Sequence, residues 1–128
     1  MNVDEILILF KKKRLRKTET VWIVSLDNDE HPIAVYDISV KNLNKECIFD
    51  FNNIQDKLQK DNSNKFIFLH NHPTEDPLPS LIDIDTTKDL LKYSKKKNII
   101  LIDHIILSKD DYFSFHNHKD NKIIICKR

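Results

Sequence analysis

Not one of the 128 residues is glycine. The turns of this chain must therefore rely on Asn, Asp, Ser and Pro, which tolerate or preset the backbone angles a turn needs. The same absence rules out the glycine-rich phosphate loops of P-loop and dinucleotide sites. What remains is punctuated by polar clusters: DNDEH at 27–31, DNSN at 61–64, the three-proline stretch PTEDPLP at 73–79, and DD at 110–111. The length fits one domain, 1–128, that can bury about two thirds of the surface its unfolded chain exposes. At 40% hydrophobic and 32% charged residues, it reads as globular without disulfide staples.

Between the turn clusters the apolar pattern predicts alternating elements. Residues 3–16 read as a helix with Val3, Ile6, Leu7, Leu9 and Phe10 as its buried stripe and Asp4 and Glu5 at its start. Thr20–Leu26 and Pro32–Val40 read as a hairpin. Residues 41–50 are a strand or an irregular crossing, and Phe51–Lys60 is a helix with Ile54 and Leu58 at i, i+4. Lys65–His70 is a short, nearly continuous apolar run, as expected of a central strand buried on both faces. Leu81–Lys97 is an amphipathic helix with Ile84, Thr87, Leu91 and Ser94 on one side. Asn98–Leu107, a strand starting at Tyr112–Phe115 and a closing strand at Lys122–Cys126 complete the pass. This alternation predicts an α/β or α+β sandwich on one mixed sheet.

Charge and cysteine usage narrow the function classes. With 21 Lys+Arg against 20 Asp+Glu, the net charge of +1 implies no strong overall attraction to nucleic acid. The run Lys11–Lys17 is local: it reads either as a solvated helix end or as a surface for an anionic partner. Cys47 and Cys126 form no CxxC pair, so a reducing cytoplasm is expected. The first apolar run precedes its basic cluster, the reverse of a secretory signal. No run approaches the ~20 apolar residues of a membrane span.

The chemistry concentrates at His70–Asp83. At a strand end, His70 and His72 point to the same face and can take adjacent positions on one metal ion. Pro73 stops the strand. Ser80 stands where a helix should begin, and Asp83 falls in its first turn, where its carboxylate can face back to the strand. Two His and one Asp leave one position open on a tetrahedral Zn²⁺, the arrangement of a catalytic site. An open position holds water whose pKa the metal can lower to about 7, and a carboxylate would serve as general base. Each piece has a plainer reading. Ser80-x-x-Asp83 is also a loose capping box, and Glu75 and Asp76 are solvated loop acids. Asp103-His104 is either a buried polar pair of the core or a source of a partner that orients a ligand His. His116-Asn117-His118 repeats the tripeptide without a following Ser-x-x-Asp and reads as a solvated turn.

The pattern H-N-H-P-x6-S-x2-D resembles the JAMM signature, H-x-H-x7-S-x2-D, of the JAB/MPN metalloproteases. It is closer to the RadC-like branch, which carries HNHPSGDPTPS-x2-D, a helix opening on T-x2-L and a strand ending LDHII. This chain has HNHPTEDPLPSLID, then TTKDLL, then LIDHIIL and YFSF, with TETVWIVSLDNDEHPI upstream. The resemblance covers roughly residues 15–115 and implies the JAB/MPN sandwich, related to the cytidine deaminases. It implies His70, His72 and Asp83 as zinc ligands and Glu19 as the carboxylate that handles the water proton. Ser80 takes the place of the hydrogen-bond donor to the oxyanion. Glu46 and Glu30 are the other upstream acids.

Thr74-Glu75 stands where that branch has Ser-Gly, and Asn98 where a Gly often precedes the strand. The family's P-R-E segment is replaced by Ile48–Asn53. The helix-hairpin-helix domain of full RadC proteins has no counterpart in these residues, which weakens any inherited expectation of DNA binding. Besides a scaffold without metal, which elemental analysis would reveal, two function classes follow. One is a zinc hydrolase acting on a peptide or protein substrate. The other is a RadC-like accessory protein that acts by binding, with nucleic acid as the partner suggested by Lys11–Lys17.

Overall fold

The computed structural model describes residues 1–41, 47–74 and 76–117. Helix α1 spans Val3–Leu9 with Asn2 accepting the Asp4 N–H as its N-cap. A short 3-10 turn follows at Lys13–Leu15. Strand β1 (Val21–Leu26) turns into β2 (Pro32–Asp37). The pairs β3 (Val40–Lys41) and β4 (Cys47–Ile48) form a small antiparallel ribbon. Helix α2 (Phe51–Lys60) is capped by Asp50, and β5 (Lys65–Asn71) follows. Helix α3 (Leu81–Lys97), β6 (Ile100–Leu107) and β7 (Tyr112–Ser114) complete the order.

The main sheet runs β2-β1-β5-β6-β7. Strands β5 and β6 are parallel, joined through α3; the other neighbours are antiparallel. It is a mixed sheet flanked by helices, as expected. Both faces are apolar, which is why the central strands read as continuous hydrophobic runs. On one face Ile23, Phe66, Phe68, Leu101 and Ile106 pack with Ile54 and Leu58 of α2 and Leu90 of α3. On the other, Trp22, Val24, Ile67, Leu69 and Ile105 meet Ile6 and Phe10, with Phe10 edge-on to Trp22 at 5.2 Å.

Several expected boundaries shift; the return strand expected over Pro32–Val40 ends at Asp37. The helix expected over 3–16 ends at Leu9, and of its stripe Ile6 and Phe10 are buried while Leu9 is exposed. Beyond Phe10 the run KKKRLRK has only Leu15 as an apolar residue, and it is exposed; Arg14 instead reaches across to the Ser108 and Asp111 carbonyls at 2.8 and 2.6 Å. The strand expected from Asn98 begins at Ile100, because Asn98 is the left-handed C-cap of α3 at φ 57°. Asn98 thus takes a position that glycine fills most readily; Asn62 and Glu30 are the other described residues with positive φ. The strand expected at Lys122–Cys126 lies outside the described residues.

Candidate metal centre

The C-terminal end of β5 delivers His70 and His72 to the α3 face of the sheet. The His72 N–H donates to the Leu107 carbonyl at 2.7 Å, which ties this end to β6. Asp83 comes from the other side. Ser80 begins α3 with a full capping box: its Oγ accepts the Asp83 N–H at 3.1 Å, and its own N–H donates to Asp83 Oδ2 at 2.9 Å. Capping and aiming are thus one interaction. The box that starts the helix also points the carboxylate back at the strand.

The three side chains converge. His70 Nε2 lies 3.2 Å from His72 Nε2 and 3.1 Å from Asp83 Oδ1, and His72 Nε2 lies 3.1 Å from Asp83 Oδ2. Ligand atoms about 2.0–2.1 Å from a tetrahedral ion stand roughly 3.3 Å apart. The triangle of side chains therefore has edges the length of those in such a coordination sphere, with each histidine facing a different oxygen of Asp83. Its chemistry agrees. The His72 Nδ1 faces the Asp76 carbonyl at 3.1 Å, so Nδ1 carries a ring proton and Nε2 can present a lone pair to an ion. Lone pairs and a carboxylate gathered this closely require a positive charge among them. His70, His72 and Asp83 form a group able to hold a metal ion.

Electrostatics tell the same story without an ion. Burial pushes the Asp83 carboxyl up, but hydrogen bonds from His70 and His72 outweigh it and hold the group well below the usual carboxylate range. The hydrogen bond to Asp83 raises the His72 pKa against its partial burial, helped by the Asp76 carbonyl and the Glu19 charge. The site thus attracts a cation, and one proton cannot bond all three sides of the triangle.

A cleft of about 390 Å³ opens onto this triangle, lined by Glu19, His70, His72, Ser80 and Asp83 with Val21, Phe49, Phe68 and Ile82 as apolar wall. Glu19 and Ser80 are exposed at the mouth. All five expected site residues therefore share one cleft. Glu30 lies buried in the β1–β2 turn, at the far end of the strands from His70, and Glu46 is outside the described residues. Of the repeated tripeptide, His116 and Asn117 sit in an exposed turn, and His118 is outside the described residues. Asp76 is exposed, as expected of a loop acid.

Three neighbours are not evident from the spacing of the signature. Asn71, between the two histidines, points to the opposite face and is fully buried. Its Oδ1 accepts the Thr20 N–H at 2.7 Å, and its Nδ2 donates to the Arg16 and Thr18 carbonyls at 3.0 and 3.1 Å. It clamps the segment that carries Glu19. His104 places Nε2 2.9 Å from His70 Nδ1, and Thr87 Oγ1 lies 2.6 Å from His104 Nδ1. Of the two sequence readings of Asp103-His104, His104 thus takes the one in which it partners a candidate ligand. Burial, and then the nearby His70, lower the His104 pKa well below the ordinary value, so the ring is neutral. Asp103 accepts from Ser114 Oγ and from the N–H groups of His104 and His116.

Comparison with known proteins agrees with this geometry. Residues 2–121 match the family described as RadC-like JAB domain. A UPF0758 protein of Desulfitobacterium hafniense is 33% identical over 107 residues, covering 84% of this chain and 47% of the relative. One from Alkaliphilus oremlandii is 34% identical over 112 residues, 88% and 48% of the two chains. One from Fusobacterium nucleatum is 29% identical over 113 residues, 87% and 48%. The chain spans about half the length of these curated relatives. With the match running across nearly all its described residues, the chain belongs to the RadC-like JAB domain family.

Proposed function

We propose that this chain is a zinc-dependent hydrolase that cleaves a peptide or isopeptide bond. The observation that carries the reading is the triangle of His70, His72 and Asp83 donor atoms opening onto a cleft that also holds Glu19 and Ser80. Two imidazoles and a carboxylate at tetrahedral spacing suit Zn²⁺, a borderline-soft ion without geometric preference of its own. When bound, zinc would supply a Lewis acid and an acidified water at the open end of the cleft.

The chain's own groups divide the remaining work. Glu19, exposed at the mouth, takes the proton of the attacking water and delivers it to the leaving amine. The Ser80 Oγ already accepts the Asp83 N–H, and among the described residues nothing takes its own proton. That proton is available to donate to the oxyanion that forms on the scissile carbonyl. Val21, Phe49, Phe68 and Ile82 make the wall apolar, which strengthens these interactions and seats an apolar group beside the scissile bond.

The test is metal content followed by turnover. Purified protein should carry one zinc per chain, lost in His70→Ala and Asp83→Ala. Glu19→Gln should keep its zinc and lose about 10²–10⁴-fold in kcat/KM on a peptide or isopeptide library. No hydrolysis by zinc-loaded protein, or Glu19→Gln equal to the parent, overturns the hydrolase reading. A second reading, binding of nucleic acid, rests on Lys11, Lys12 and Lys17, which have no acidic partner among the described residues. A DNA mobility shift that weakens with salt and disappears when these lysines are neutralised would favour it.

A further inference from the structure

The buried contacts behind His70 form a chain with a direction. Thr87 and His104 are both fully buried, one on α3 and one on β6. The His104 ring is held flat against Phe115, with centroids 4.6 Å apart and 11° between planes, and edge-on to Phe68 at 5.0 Å. It cannot turn to seek other partners without breaking this packing.

Its two nitrogens face Thr87 Oγ1 at 2.6 Å and His70 Nδ1 at 2.9 Å. A neutral imidazole has one donor and one acceptor, so this chain of contacts can run either way. In one direction Thr87 donates to His104, His104 to His70, and His70 carries its proton on Nε2, inside the triangle, where it cannot ligate. In the other direction every proton moves to the opposite end, and His70 Nε2 is a bare lone pair.

Thr87 selects between them. Its hydroxyl has a single proton, and its Oγ1 lies 2.9 Å from the Asp83 carbonyl one turn back along α3. This is the back-bond that a helical threonine commonly makes. With the proton committed there, Oγ1 offers only lone pairs to His104, which must donate from Nδ1 and accept at Nε2.

We infer that Thr87 and His104 are positioning residues that hold His70 as its Nδ1–H tautomer and so commit its Nε2 lone pair to the metal. The relay joins a ligand on the strand to the backbone of the ligand on the helix, through a residue of the neighbouring strand. It rests on the zinc reading above for its purpose, but the proton on His70 Nδ1 does not depend on an ion.

The experiment compares zinc affinity, by chelator competition, across four variants and reads ring protons separately. Thr87→Val removes the hydroxyl at constant shape and should weaken zinc binding about tenfold; Thr87→Ser restores it to within about twofold of the parent. His104→Phe should cost about 10–100-fold, and His104→Gln, which can still accept from His70, should recover part of that. Long-range ¹H–¹⁵N spectra of the metal-free protein at pH 8 should show His70 and His104 both protonated on Nδ1, with Thr87→Val mixing the tautomers. Thr87→Val that binds zinc like the parent, or a His70 with no proton on Nδ1, overturns the inference. If His104→Phe does not fold, the Thr87 pair still decides. If the parent binds no zinc, the metal reading fails, and the ring-proton spectra still decide the relay.

Discussion

His70 and Asn71 are neighbours on β5, both are buried, and the pleat sends them to opposite faces. What holds each is different in kind. His70 is backed by side chains, His104 and then Thr87, which arrive from another strand and from α3. Asn71 holds backbone, three groups of the segment 16–20. One face therefore prepares the donor atoms of the metal triangle, and the other anchors the stretch that carries Glu19. The two supports share no hydrogen-bonded residue, so each should be breakable without the other.

Asn71→Ala is the strongest way to test that separation. It leaves the buried Thr20 N–H and the Arg16 carbonyl without their partner, and the Thr18 carbonyl with only the Thr20 hydroxyl, which should cost roughly 2–4 kcal/mol in urea unfolding of the metal-free protein. Zinc affinity should stay within about threefold, while any Glu19-dependent rate falls. A loss of zinc affinity as large as that of Thr87→Val would show the two faces to be one unit.

Asp103 tests the inner face from behind, through pH. Burial raises its pKa to about 6 despite the hydrogen bonds from Ser114, His116 and His104. Its folded pKa lies above the ordinary unfolded value of about 3.9, so the folded state binds the extra proton between them. That stabilisation is complete below about pH 4 and disappears as pH rises through 6, a loss of roughly 2–3 kcal/mol. In metal-free protein His72, also raised, adds a slope of the same sign, and His104, lowered, one of the opposite sign. The difference between parent and Asp103→Asn isolates the Asp103 share. Urea unfolding from pH 4 to 7.5 should show the parent losing stability relative to Asp103→Asn, and parallel curves would sink the assignment.

How much of this was legible in the sequence depends on how local each feature is. Helix α3 occupies Leu81–Lys97 as expected, because its start and stop are written in adjacent residues: Ser80 and Asp83, then the lysines and Asn98. The His70–His72 face follows from parity along one strand. His104 could not be aimed that way. Where β5 pairs with β6, Phe66 opposes Leu101 but Ile67 opposes Asp103, so Ile102 is an extra residue. Leu101 faces α2 and α3, and Ile102 faces α1. Strict alternation would then put His104 on the α1 side. The bulge reverses the phase and turns His104 toward His70 and Thr87. That reversal is a property of strand pairing, and nothing in LIDHIIL announces it. Asn71 is similar: its parity is readable, but its partners come from a segment more than fifty residues earlier.

His72 offers the mildest challenge to the contrast, because it belongs to the metal face yet is held by backbone. Its Nδ1 has a single carbonyl, Asp76 O, in a loop that Pro73, Pro77 and Pro79 stiffen. Pro77 is the buried one of the three. Pro77→Ala keeps the carbonyl but gives the unfolded chain more freedom, at a cost of about 0.4–1 kcal/mol in stability. Loosening of the same order around Asp76 corresponds to about a two- to fivefold loss of zinc affinity. That is well short of the loss expected when the buried relay behind His70 is cut. Chelator competition on Pro77→Ala beside Thr87→Val makes the comparison directly. If the loop variant loses more zinc than the relay variant, the preorganisation of the triangle lies in the proline loop and not in the core, and the ranking of the two histidines reverses.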